Sequence, residues 1–68
     1  MFYNLRKALE NKKISFKAYA SVLGISEKSA YNKVNEQTEF TLSEALITKR
    51  ELFPEYEFDY LFASDKGA

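Results

Sequence analysis

Residues that interrupt helices are almost absent from this chain. Glycine occurs only at Gly24 and Gly67, and proline occurs only at Pro54. In the long stretches between these positions, apolar residues recur three or four apart, which is the spacing of an amphipathic helix. The sequence therefore predicts an all-α fold, a small domain of four or five helices.

The length bounds both the domain count and the size of the core. A chain of 68 residues is enough for one domain, which we place at residues 1–62, followed by a flexible tail at 63–68.

The chain has no cysteine and no histidine, so it lacks thiolate metal ligands and the commonest general base. Its carboxylates are dispersed and no glycine-rich phosphate loop is present, so we expect no catalysis, metal, cofactor or small-molecule ligand.

No segment has the pattern of a targeting or membrane sequence. The first residues, MFYNLRKALENKK, lack the apolar stretch and cleavage site of a signal peptide. No apolar run approaches the roughly 20 residues that cross a bilayer. We therefore predict a cytoplasmic location and no membrane partner.

Gly24 separates two short helices in the middle of the chain. Ser15 and Ser26 are preferred N-cap residues, and each precedes a stretch with helical spacing. Glycine at position 24 supplies the left-handed backbone that ends a helix at low cost. We therefore predict a second helix at about residues 16–23 and a third at about 27–35.

A first and a fourth helix complete the predicted domain. Apolar spacing gives the first helix at about residues 2–11. Thr41 and Glu44 match a capping box, so the fourth helix should begin near position 42, and Pro54 prevents its continuation. The apolar stripe of the fourth helix is predicted to contain Leu42, Ala45, Leu46 and either Leu52 or Phe53.

The segment after Pro54 has two interpretations. Aromatic residues at 56, 58, 60 and 62 alternate in the period of a strand. Phe58, Leu61 and Phe62 also fit one helical turn. We favour a short fifth helix at about 58–62, with a C-terminal strand as the alternative.

The net charge of zero hides a strong asymmetry. Residues 1–35 carry seven basic and two acidic residues, a net charge of +5. Residues 36–68 carry three basic and eight acidic residues, a net charge of −5. A basic half beside an acidic half indicates a surface for a polyanion such as nucleic acid.

The stretch from Ser15 to Asn35, SFKAYASVLGISEKSAYNKVN, resembles the Cro/repressor-type (Xre-like) helix-turn-helix family, and in particular its small phage-borne members. The resemblance covers about residues 4–62. It implies a compact helical domain that binds double-stranded operator DNA, with the third helix in the major groove. It also implies a homodimer, formed in solution or only on DNA. The matching positions are Ala20, Leu23, Gly24, Ile25, Ser26 and Asn35.

Four positions depart from the family pattern. Phe16 stands where the family commonly has a glutamine that contacts phosphate, and Ala30 replaces a larger buried residue. Val34 stands at the place of a frequent glutamate, and Glu36 at the place of a frequent glycine. The loss of the glutamine removes one expected phosphate contact.

The predicted DNA contacts lie on and beside the third helix. Lysine can donate to guanine and asparagine can bond adenine, so Lys28 and Asn32, one turn apart, are the leading base-reading residues. Family positions that read bases match Glu27, Lys28, Tyr31 and Asn32. The candidates for phosphate contacts are Lys17, Ser26, Ser29, Lys33 and Asn35. The aromatic residues Tyr56, Phe58 and Tyr60 are candidates for a dimer surface.

The predicted function is that of a phage or prophage transcriptional regulator, and two alternatives remain open. One alternative is a protein-interaction module on the same fold, such as an antitoxin, an antirepressor or a recruitment subunit. Phe16, Glu27 and the zero net charge favour that alternative. The other is a nucleoid protein that binds all DNA sequences equally.

Overall fold

The chain is all-helical over residues 1–63, which are the residues that this computed structural model describes. The order is α1 Tyr3–Asn11, α2 Phe16–Leu23, α3 Glu27–Val34, α4 Leu42–Ile47, a π-helical segment Thr48–Leu52, and α5 Phe58–Leu61. Residues 1–63 contain no strand, so the all-α prediction is confirmed and the alternative of a strand at 56–62 is wrong. The predicted flexible tail lies outside the described residues, apart from Ala63.

Side-chain caps begin three of the helices where the sequence predicts them. Ser15, Ser26 and Thr41 each accept a hydrogen bond from the backbone N–H three residues later, at 3.1 Å in each case. Glu44 accepts in return from the Thr41 backbone N–H at 2.9 Å, which completes the capping box. These bonds satisfy N–H groups that have no partner within their own helix.

A single apolar cluster joins the helices. α2 packs against α3 and α4, while α1 packs against α3 and α5. Three half-buried rings, those of Phe2, Phe40 and Phe62, lie 5.2–5.7 Å apart and close the cluster near α1 and α5. The buried members of the cluster are Leu5, Ala8, Leu9, Tyr19, Ala20, Ala30, Val34, Phe53 and Leu61.

The apolar stripe predicted for the fourth helix is wrong at its first position. Leu42 is 72% exposed, because it directly follows the cap and lies on the outer side of the first turn. Ala45, Thr48 and Phe53 are buried instead. The Phe53 N–H donates to the Thr48 carbonyl five residues back, at 3.2 Å. This wider π-helical turn allows two residues five apart to face the core, which an α-helix does not.

Within residues 1–63, the backbone is left-handed at three positions. Gly24 has φ +74°, and an added Cβ there would meet no atom within 4 Å, so the backbone angle and not space selects glycine. Lys13 and Glu36 adopt φ +57° and +64° although they carry side chains. Such angles are costly for residues with a Cβ.

Lys13→Gly is expected to stabilise the protein by about 1 kcal/mol, because glycine accepts the left-handed angle without the steric penalty that lysine carries. The free energy of unfolding in urea measures the change. Lys13→Ala is the matched control, since it removes the same charge but keeps a Cβ. If Lys13→Ala stabilises as much as Lys13→Gly, the backbone explanation is incorrect.

Candidate nucleic-acid interface

α2 and α3 form a closely packed pair around the connection at residues 24–26. The Ile25 N–H donates to the Ala20 carbonyl at 3.0 Å, which ties the connection back to α2. Ala20 and Ala30, one from each helix, are buried. Small side chains at these positions let the two helices approach closely, so α3 is held rigidly against α2 and keeps its opposite face at the surface.

The outer face of α3 carries Lys28 and Asn32. These residues are four apart and therefore lie one above the other on the helix surface. Lys28 is exposed and Asn32 is half-buried. Within residues 1–63, neither side chain has a hydrogen-bond or ion-pair partner, so the Lys28 ammonium and the Asn32 amide are both available to a ligand.

Glu27 and Tyr31 occupy the flank of α3 that faces α2. The Tyr31 ring meets the Phe16 ring edge-on, with centroids 5.4 Å apart and ring planes at 77°. Tyr31 remains 48% exposed. Glu27 is exposed in the first turn, where its charge suits the positive end of the helix dipole. The sequence analysis did not predict the contact between Phe16 and Tyr31. A contact between two helices has no local sequence signal.

Three of the unpaired cations lie in or just before the first turns of α2 and α3, and a fourth, Arg50, lies in the π-helical segment. Within the described part of the chain, Lys13, Lys17 and Lys28 are exposed and have no ion-pair partner. Other basic residues of the first half are engaged: Arg6 pairs with Glu10, Lys12 pairs with Glu55, and Lys7 lies over the Tyr3 ring. The positive charge available to a polyanion is therefore concentrated beside α2 and α3.

Lys33, one of the predicted phosphate contacts, lies in an intramolecular network. Its ammonium lies 3.1 Å from the Glu44 carboxylate and donates to the Glu39 carbonyl at 2.9 Å. The Lys33 and Glu44 side chains are each only 14% exposed. Lys33 thereby links α3 and α4, and its phosphate contact stays a prediction that would require these contacts to break.

The remaining phosphate candidates differ in whether their side chains have a hydrogen-bond donor or a charge that is not already used within the protein. The Ser26 hydroxyl caps α3 and donates to the Ser29 hydroxyl at 2.9 Å, which leaves the Ser29 proton available. The Asn35 amide donates to the Tyr31 carbonyl at 2.9 Å and so helps to end α3. Lys17 alone combines full exposure with a free charge.

Glu44 has a pKa below its ordinary value. Partial burial on its own would raise this pKa, but the hydrogen bonds from Thr41 and the nearby Lys33 ammonium outweigh burial. A lowered pKa means that the charged carboxylate stabilises the fold at neutral pH. The contribution is lost as the pH falls from the ordinary value near 4.5 through the lowered value in the folded protein.

Glu44→Gln is expected to destabilise the protein by about 1 kcal/mol at pH 7, because glutamine keeps the capping geometry but loses the charge that pairs with Lys33. The gap between wild type and variant should narrow as the pH falls and the carboxylate of the wild type is protonated. Urea unfolding at several pH values between neutral and about 3 measures the gap. A gap that is constant over this range would contradict the assigned role of the charge.

The predicted dimer residues do not share one exposed patch. The Tyr56 and Tyr60 rings stack with centroids 5.7 Å apart, and the Phe58 ring packs on Phe62 at 4.9 Å. Tyr60 is 45% exposed, whereas Tyr56 and Phe58 are half-buried. Tyr60 therefore offers most of the aromatic surface in this region.

Neither a membrane-spanning helix nor a metal site is found among the described residues. Among residues 1–63, no helix is both long enough and apolar enough to cross a membrane. The same residues contain no cluster of three acidic or other metal-ligating side chains that could hold a metal ion. Comparison with protein-family models, with curated proteins and with solved structures gives no match.

Proposed function

We propose that this chain is a sequence-specific regulator of transcription that binds double-stranded DNA, of the phage or prophage type. In this proposal α2 and α3 are the two helices of a Cro/repressor-like helix-turn-helix. α3 enters the major groove, which is wide enough to admit one helix. α2 lies across the groove and contacts the backbone.

The observation that carries the proposal is the pair of free polar side chains on α3. Lys28 and Asn32 are one turn apart, reach outward, and have no partner within residues 1–63. Lysine donates to guanine O6 and N7, and asparagine bonds adenine N6 and N7. Glu27, one residue before Lys28, can accept from cytosine N4.

The free cations support the same orientation. Lys13, in the connection before α2, and Lys17, in its first turn, are exposed and would contact phosphates on one side of the groove. Among the described acidic residues, Glu51 lies in the π-helical segment and Asp59 lies in α5, and both are therefore outside α2 and α3. Such an arrangement favours approach of DNA to one side of the domain.

The proposed binding form is a homodimer on DNA. A two-fold dimer would present two copies of α3 to half-sites about 34 Å apart. Tyr60 supplies exposed aromatic surface of the type enriched at interfaces. It is therefore the residue of the aromatic segment that we assign to the dimer contact.

Salt dependence of binding to a labelled random-sequence duplex tests the proposal. If Lys13 and Lys17 of one protomer neutralise two phosphates, affinity should fall about 12-fold between about 50 and 200 mM salt. Fluorescence anisotropy gives the two dissociation constants. Binding that is absent at the lower salt, or that is unchanged by salt, would contradict the proposal.

A protein-interaction module is the second candidate function. The specific observation in its favour is the exposed Tyr31 ring beside the exposed Glu27 carboxylate, a combination that suits a protein surface as well as a base edge. This candidate predicts no salt-dependent binding to any duplex. It also predicts partner binding that survives the loss of Lys28.

A further inference from the structure

The Tyr31 ring is the apolar feature of the α3 surface, and its predicted contact with a base has so far been given no chemistry. It is 48% exposed, and the Phe16 ring of α2 meets it edge-on at 5.4 Å. Phe16 is itself half-buried and packs against the core. Tyr31 therefore projects from α3 while one side of its ring is held by α2.

The contact with Phe16 restricts the motion of Tyr31. The edge-on arrangement is a preferred geometry for two aromatic rings, so it disfavours rotation of the Tyr31 side chain away from α2. A side chain that is already fixed loses less conformational entropy when it meets a ligand. The rigid ring thus presents a constant apolar edge beside Lys28 and Asn32.

We propose that Tyr31 is a specificity-determining residue that contacts the methyl group of a thymine, and that Phe16 is the residue that positions it. This inference rests on the proposed function, because it requires α3 to lie in the major groove. The C5-methyl of thymine is the apolar group that base edges present in this groove. A ring edge held at the surface of α3 therefore favours thymine over the other bases.

Glu27 shares this flank of α3 with Tyr31. It lies four residues before Tyr31, on the same side of the helix. Its exposed carboxylate is repelled by the phosphate backbone. The exposed Lys17 directly follows Phe16 in the first turn of α2, so a phosphate contact of Lys17 would lie beside the base contact of Tyr31.

Thymine-to-deoxyuridine replacement tests the contact, because it removes the methyl group and keeps base pairing. Duplexes that bind wild-type protein are first selected from a random-sequence library, and each thymine of the consensus is then replaced singly. Dissociation constants are measured by fluorescence anisotropy. We expect one thymine per half-site to weaken binding about fourfold when its methyl is removed, the loss expected for one buried methyl group.

Four variants assign the effect to its residues. Tyr31→Ala should bind the thymine and deoxyuridine duplexes equally. Phe16→Leu keeps apolar bulk without the ring and should move the ratio of the two dissociation constants toward one, while Phe16→Tyr should preserve the ratio. Tyr3→Ala removes a tyrosine of α1 that is 51% exposed, and should leave the ratio unchanged.

The outcomes separate this inference from the proposed function. If a consensus is selected but no thymine is sensitive to methyl removal, or Tyr31→Ala keeps the fourfold ratio, the contact is overturned and DNA binding stands. If Phe16→Leu weakens both duplexes equally, the positioning role of Phe16 is overturned. If wild type selects no consensus, the proposed function fails and this inference fails with it.

Discussion

Replacing both Lys28 and Asn32 by alanine is expected to weaken binding to the selected duplex by at least about 30-fold. Each good contact with a base edge contributes about 1–3 kcal/mol of discrimination, so the loss of two contacts amounts to roughly 2–6 kcal/mol. Both side chains lack partners within residues 1–63, so their removal should leave the fold intact. Fluorescence anisotropy with wild type and variant measures the loss.

Arg50→Ala is the matched control for this double variant. Arg50 is an exposed residue of the π-helical segment and also contributes one positive charge. We expect its removal to change affinity little, because that segment lies outside the α2–α3 pair. Thermal unfolding should show the same Tm for all three proteins. Equal losses for Arg50→Ala and Lys28→Ala/Asn32→Ala would indicate binding through general charge and would contradict base reading by α3.

Thr48→Val is expected to lower the free energy of unfolding by about 2 kcal/mol, or roughly 10 °C in Tm. Thr48 and Tyr19 are both fully buried, and their hydroxyl oxygens lie 2.6 Å apart. The Thr48 hydroxyl donates to the Glu44 carbonyl at 2.8 Å, so Tyr19 must be the donor to Thr48. Burial raises the pKa of Tyr19 above its ordinary value, so the phenol keeps the proton that it donates.

Valine has nearly the shape of threonine, so Thr48→Val leaves the Tyr19 hydroxyl buried without a partner. The double variant Tyr19→Phe/Thr48→Val removes both polar groups and should cost less than the sum of the two single variants. Thr38→Val, the same substitution at an exposed position, should change stability little. Additive losses in the double variant would show that the two hydroxyls do not interact.

The local features of the fold were predictable because neighbouring residues determine them. The caps at Ser15, Ser26 and Thr41 and the left-handed Gly24 depend on side chains within a few positions of each helix end. Such signals give the helices and their order.

Contacts between distant segments were not predictable from the sequence. The buried hydroxyl pair joins Tyr19 and Thr48, which are 29 positions apart, and threonine gives no sign of burial in an apolar stripe. The π-helical turn that brings Phe53 inward follows from the hydrogen bond between residues 48 and 53. The prediction for Leu42 failed because helical spacing alone does not show how a helix rotates against its neighbours.

In the candidate site, too, local features were predictable from the sequence and contacts between distant segments were not. Lys28 and Lys33 both lie on α3 and both were predicted to contact DNA. The structure separates them, because Glu44 of α4 pairs with Lys33 and leaves Lys28 free. The position of α4 determines which of the two lysines is paired. The sequence of residues 27–35 alone therefore cannot predict it.

An NMR titration of isotope-labelled protein with a random-sequence duplex, at low and at moderate salt, tests the central claim most directly. The account predicts chemical-shift changes concentrated on residues 26–35 and on Lys13 and Lys17, and these changes should fade as salt releases the bound DNA. Shift changes that are confined to residues 51–62, or the absence of any change at low salt, would contradict the assignment of α3 as a DNA-binding surface.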